Sequence, residues 1–327
     1  MRQEDYCISA EDTSSMLSPL DFFKAIFTEK QIPPKDIFFE WFGFKVTDIR
    51  CLQNLFKWFD YHQEYTFSIY TDLGNRLTDI FDERLIASFD KIKFSLLQKK
   101  ITVINLNDPR IKASHEDFLN FDFVSLFLEE IKKHQTSEKN LKALTALTSD
   151  FFRLGRLYKS GGIHVEMDQE ALSPLPKFDD LKYGIRLDSP TSYIAFIAAN
   201  PRNTIIREAA LLQRCCIQKV IINKNPADLY KAMSELNHRA VIVNISGTVF
   251  SACLKNTPAE KHITKSMQEY FKELEFSSWA SIEEFRIFQN NRQGQARFFE
   301  FLANMKPTPK QLKEITLTAE TPEIVIP

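Results

Sequence analysis

Between Ser149 and Asp168 the chain reads SDFFRLGRLYKSGGIHVEMD, and most of its chemistry-bearing residues fall in this stretch. Past the paired glycines the character alternates: Ile163, Val165 and Met167 face one way, His164, Glu166 and Asp168 the other. A strand ending on two closely spaced acids suits a hard divalent cation, Mg²⁺ or Mn²⁺, held against a diphosphate. Oxygen ligands match hard cations, and the phosphates supply the remaining positions. The same alternation also fits the solvated face of an edge strand. His164 is either a third ligand on that face or a neighbour that packs and hydrogen-bonds beside the acids. Asp150 and Arg153 stand three apart, so on a helix they share a face. As an isolated surface pair they would contribute only about 0.3–0.5 kcal/mol.

These residues need a scaffold. Leu147, Phe151, Leu154 and Tyr158 fall at helical spacing and predict a long helix over 138–159. Gly161-Gly162 ends it, since glycine tolerates the left-handed conformation of a C-terminal cap. A strand over 163–168 follows. Upstream, residues 36–44 (DIFFEWFGF) read as a buried strand, Thr47 opens an amphipathic helix carrying Ile49, Leu52, Leu55, Phe56 and Phe59, and residues 65–70 (YTFSIY) form a second strand. Strand, amphipathic helix, strand is the βαβ pattern of a parallel sheet. Further strands are predicted at 101–106, 185–188, 193–198 and 240–245. Further helices are predicted at 19–30, 73–100, 116–135, 204–216, 259–275 and 281–304. The fold class is therefore α/β. In such sheets ligands bind beyond the carboxyl ends of the strands, where Glu166 and Asp168 sit.

Composition narrows the function. The chain has 327 residues, 44% hydrophobic and 26% charged, ordinary values for a globular protein with a large core. A net charge of -1 gives no general attraction to nucleic acid or anionic membrane. The cysteines at 7, 51, 215, 216 and 253 form no CxxC pair, and their odd number points to reduced thiols and a cytosolic working compartment. The polar, acidic first fifteen residues hold no signal-peptide core, and no run is apolar enough to cross a membrane.

Two tryptophans could complete a ligand site. Trp41, among Phe38, Phe39, Phe42 and Phe44, is either core packing or a platform for a planar base. Trp279 lies beside the hydroxyls of Ser277 and Ser278 just before a helix, where it reads as a staple at the helix entry.

Taken together, Ser149-Asp150-Phe-Phe-Arg153 and Leu157-Tyr158-Lys-Ser-Gly161-Gly162-Ile163-His164-Val165-Glu166-Met167-Asp168 resemble the DxD sugar-nucleotide region of retaining glycosyltransferases, roughly SDxxRxxxLxxxGGxYxDxD. The likeness is to the glucosylating domains of the large clostridial toxins and related bacterial effectors. Residues 38–72 resemble that family's opening strand, helix and second strand. Residues 193–212 resemble its alanine-rich asparagine stretch, and Ser277-Ser-Trp279 its late Ser-x-Trp element, so the similarity spans roughly 36–290.

The resemblance implies a GT-A (Rossmann-like) mixed, mainly parallel sheet flanked by helices, with added helices at both ends. It divides the chain into an N-terminal helical extension (1–34), a GT-A domain (35–305) and a flexible C-terminal tail (306–327). It implies a retaining, metal-dependent hexosyltransferase using Mn²⁺ or Mg²⁺ and a UDP-sugar, UDP-glucose first. The acceptor would be a hydroxyl of a host protein, and the enzyme a monomer secreted by a bacterium without a cleavable signal peptide to act in the host cytosol. Trp41 would stack on uracil, Asp150 and Arg153 would contact sugar and diphosphate, and Glu166 and Asp168 would serve the donor and the metal. Ser277 and Trp279 would touch the leaving diphosphate, and Asn200 would stand at the acceptor end. Two residues depart from the family form: Glu166 replaces an aspartate and His164 a tyrosine. They leave open altered donor choice or an inactive relative. A polysaccharide-building transferase and a sugar-nucleotide-binding module without turnover are the competing readings.

Overall fold

The computed structural model describes residues 34–133, 138–176, 185–187, 195–220 and 270–273. The expected strand at 240–245, the helices at 19–30 and 281–304, Ser277, Trp279 and the tail from 306 lie outside the described residues.

Strand β1 (Asp36–Trp41) is followed by helix α1 (Ile49–Tyr61) and strand β2 (Thr66–Thr71). β1 is apolar on both faces because a central parallel strand is covered on both sides. The Asp48 side chain caps α1 by accepting from the Arg50 N–H at 2.9 Å, and Cys51, Leu52, Leu55, Trp58 and Phe59 form its buried stripe. Residues 73–100 hold three short helices: α2 (Leu77–Ile80), α3 (Glu83–Ser88) and α4 (Lys91–Lys100). Asp82 and Asp90 cap the second and third, so each acid starts a new helix. After β3 (Ile101–Asn105) come α5 (Pro109–His115) and α6 (Phe121–Lys133). The single helix expected over 116–135 starts five residues later because Asn120 adopts a left-handed φ of 66° and sends its side-chain N–H to the Ala210 carbonyl.

The long helix α7 (Glu138–Ser160) runs into β4 (Gly162–Val165). Beyond it lie β5 (Gln169–Ala171), β6 (Ile185–Leu187), β7 (Phe196–Ala199), α8 (Thr204–Val220) and β8 (Phe271–Glu273). The last is a strand within the stretch expected to be helical, paired antiparallel with β5.

The main sheet has six strands in the order β3-β2-β1-β4-β7-β6. β3, β2, β1 and β4 are parallel, while β7 runs antiparallel to both β4 and β6. This is the mixed, mainly parallel sheet flanked by helices expected for the chain. One core lies between the sheet and α6, α7 and α8, built on Phe38, Phe127, Phe151 and Ile206; the other lies under α1 and α4, built on Ile37, Phe39, Leu52 and Trp58. The chain builds outward from β1 to β2 and β3 on one side and to β4 on the other, so a crevice forms between β1 and β4.

The Gly161-Gly162 turn sets where β4 starts. Gly161 has φ 65° and donates its N–H to the Leu157 carbonyl, closing α7. A Cβ there would lie 2.5 Å from Pro201 Cδ and 2.7 Å from its backbone nitrogen. Arg156 secures the same turn by donating to the Gly161 carbonyl at 2.6 Å and to the Tyr70 hydroxyl at 3.0 Å. Gly161→Ala is therefore expected to lower the unfolding free energy by roughly 1–3 kcal/mol. Urea titration checks this, and an unchanged midpoint would show that the turn relaxes without cost.

Candidate active site

The cavity at the β1–β4 crevice holds about 110 Å³. Its lining comes from three segments: Glu40, Trp41, Phe42 and Phe44 at the end of β1; Thr145, Ala146, Ser149, Asp150 and Arg153 on one face of α7; and Glu166, Met167 and Asp168 after β4. A pocket enclosing a drug-sized ligand holds roughly 300–1,000 Å³, so the cavity among the described residues is smaller than that.

Arg153 is the centre of this cavity. It is only 3% exposed, and it donates to Glu166 at 2.9 Å and to the Ser149 hydroxyl at 2.9 Å, with Asp150 at 3.3 Å. Burial pulls its pKa down, but Asp150, Glu166 and Glu40 together outweigh that and raise it above the ordinary value. The guanidinium therefore stays charged. Asp150 and Glu166 both pair with it, and Asp168, 4% exposed, is a further acid in the cavity wall.

The strand expected over 163–168 stops at Val165. The Glu166 N–H still bonds the Ala195 carbonyl, but residues 167–168 turn, and the Gln169 N–H closes back on the Glu166 carbonyl. His164, Glu166 and Asp168 are therefore not three groups on one strand face. Asp168 is placed by the turn, and α1 braces that turn on both sides. Asn54 donates to the Met167 carbonyl at 3.4 Å and Trp58 to the Gln169 carbonyl at 2.7 Å.

His164 is fully buried, and its Nε2 lies 2.6 Å from Oε2 of Glu40. Burial pushes the Glu40 carboxyl up to about 8, against the pull of Arg153 and Arg156. Burial also holds His164 well below the ordinary imidazole value, and Arg153 adds to that effect. Both shifts favour the uncharged forms, and one shared proton joins the Glu40 carboxyl to Nε2. The histidine is a neighbour of the acids, not a ligand beside them.

Trp41 sits at the cavity, with Nε1 donating to the Phe44 carbonyl and its ring edge-to-face with Phe44 at 5.7 Å and 81°. Asn200 lies elsewhere. β7 is antiparallel to β4, so its end at Ala199 pairs with Gly162 and its start at Phe196 with Val165. Asn200 follows Ala199 and so lies roughly 13 Å from the acid end, at 3.3 Å per residue. The acceptor-end position expected for it is not brought to this cavity.

Glu40, Ser149 and Thr145 are lining residues that the sequence reading did not single out. One signal existed: Glu40 is an acid flanked by Phe38, Phe39, Trp41 and Phe42 inside an aromatic run.

The donor types fit a hard divalent cation. Asp150, Glu166 and Asp168 offer oxygen, yet among the described residues no three His, Cys, Asp or Glu side chains converge closely enough to hold a metal. Mg²⁺-type sites use one or two carboxylates together with substrate phosphates.

Residues 48–184 match the family described as glycosyltransferase sugar-binding region containing DXD motif. The matched stretch is under half of the chain. It includes Asp150, Arg153, Glu166 and Asp168, with Trp41 just upstream. The match supports a transferase. No curated protein matches the chain significantly. Among solved structures, the PaToxG glycosyltransferase is 17% identical, with a TM-score of 0.45 and coverage of 78% of this chain and 95% of that one. The UDP-bound glycosyltransferase domain of the YGT toxin is 11% identical, with a TM-score of 0.44 and coverage of 76% and 83%. The catalytic domain of alpha-toxin from Clostridium novyi is 12% identical, with a TM-score of 0.40 and coverage of 85% and 84%. No helix among the described residues of the transferase is long and apolar enough to cross a membrane.

Glu40 gives the transferase a pH signature. Its folded pKa lies above its unfolded value, so the folded state keeps a proton that the unfolded chain releases, and stability falls as pH rises towards about 8. His164 acts in the opposite sense, but only as pH drops below its ordinary 6.5. Between these limits Glu40 alone of the pair contributes. Glu40→Gln, which cannot ionise, is expected to make the fall in Tm from pH 6.5 to 8 shallower. Equal slopes in scanning calorimetry would show that Glu40 is already ionised at the lower pH.

Proposed function

We propose that this transferase moves a hexose from a UDP-sugar, UDP-glucose first, onto a hydroxyl of a host protein with retention of configuration. The observation that carries this reading is the gathering of Trp41, Asp150, Arg153, Glu166 and Asp168 around one crevice beyond the carboxyl ends of β1 and β4. Trp41 stacks on the uracil ring, and Arg153 offsets charge that builds on the departing diphosphate. Asp150 contacts the sugar. Asp168 and Glu166 hold Mn²⁺ or Mg²⁺, which when bound would neutralise diphosphate charge. The likeness to toxin domains adds Ser277 and Trp279 at the leaving group, secretion by a bacterium, and action in the host cytosol.

In the transfer, the bond from the anomeric carbon to the diphosphate oxygen breaks. A bond from the acceptor oxygen forms on the same face, and the acceptor proton leaves with the diphosphate. No covalent enzyme intermediate is invoked.

Incubation with labelled UDP-glucose and Mn²⁺ is expected to label a protein in host lysate. Label on bacterial glycan alone would move the acceptor to polysaccharide. Folded protein that releases neither UDP nor GDP from any sugar donor would indicate a binding module without turnover. Asp168→Asn is expected to lower metal-dependent UDP release on the order of 100-fold. Unchanged release would remove the metal role from that residue.

A further inference from the structure

The two halves of the main sheet meet between β1 and β4, and their backbone ladder is short. It pairs only Ile37 with Ile163 and Phe38 with His164. On the outer sides the ladders run further. β1 stays paired with β2 to Trp41–Thr71, and β4 stays paired with β7 to Val165–Phe196. Past Phe38 and His164, then, each strand is held by its outer neighbour and not by the other. This gap opens the crevice, and it also leaves the segment bearing Trp41 without backbone bonds to the segment bearing Glu166 and Asp168.

One side-chain bond spans the gap. Glu40, two residues beyond Phe38, is the diagonal neighbour of His164 on the face that α7 covers. Its Oε2 lies 2.6 Å from His164 Nε2, with both residues buried. The His164 ring also packs on Phe38, centroids 5.5 Å apart. We propose that the Glu40–His164 bond is a positioning staple that fixes the distance between the base platform at Trp41 and the acids after β4. This rests on the donor reading above for its catalytic meaning, while its mechanical part stands on the ladder geometry alone.

A staple acts through a pair, so removing either partner has the effect of removing both. Glu40→Leu and His164→Phe are each expected to raise KM for UDP-glucose about tenfold, with a smaller change in kcat, and the double variant to match the singles. Glu40→Gln can still bond Nε2 through its amide N–H, so it is expected to recover most of the affinity even if Glu40→Leu folds poorly. Additive losses, or KM unchanged in both singles, would overturn the proposal.

Amide hydrogen exchange without donor supplies the second measurement. In His164→Phe, exchange in residues 40–42 and 165–168 is expected to quicken about tenfold while the Ile37–Phe38 ladder keeps its protection. Unchanged exchange would overturn the staple. Quickened exchange in His164→Phe, together with a wild-type protein that binds no UDP, would keep the staple and remove the donor reading instead.

Discussion

A guanidinium taken out of water must find carboxylates, and in this fold the arginine that does so is Arg153. Leaving such a charge unpaired would cost about 3–5 kcal/mol, so its position and those of its partners are not independent. Asp150 and Ser149 meet it along α7, and Glu166 meets it from beyond β4. The arginine therefore joins helix to sheet at the point where β1 and β4 part. The crevice is polar because this charge is there, and it is narrow because the charge draws its walls together.

The glutamate at 166 gains sense from the same constraint. An aspartate in that position would be one methylene shorter. With Arg153 held by α7, the longer acid reaches Nη1 at 2.9 Å while its own backbone stays bonded to Ala195. The departure from the DxD form thus sits where length is needed to close an ion pair. The division of labour among the three acids follows: two are tied to the arginine, and Asp168 is carried on a separate turn.

Much of the scaffold was legible because local periods and caps agree. β1, α1 and β2 follow from an apolar run, a helical stripe behind Asp48, and a second apolar run. The acid-bearing stretch was legible in content but not in shape. Alternation continues from Ile163 through Asp168, so nothing in the pattern marks the end of the strand at Val165; that end comes from the turn closed by Gln169. Phe118 was assigned to a helix because it is apolar and well spaced, yet the left-handed Asn120 places it in a turn that is still buried. The pairing of β5 with β8 joins residues about a hundred positions apart, and no local signal reports it. Asn200 was misplaced for a related reason. A strand's residues can be read from sequence, but its direction against a distant neighbour cannot.

The brace on the 166–169 turn has a consequence for how this protein can vary. Asn54 and Trp58 grip the turn through the carbonyls of residues 167 and 169, not through their side chains. The identities of those two residues are therefore unconstrained by the grip. The constraint falls on α1, more than a hundred residues upstream. An ordinary-looking change on a distant helix can therefore move the acid.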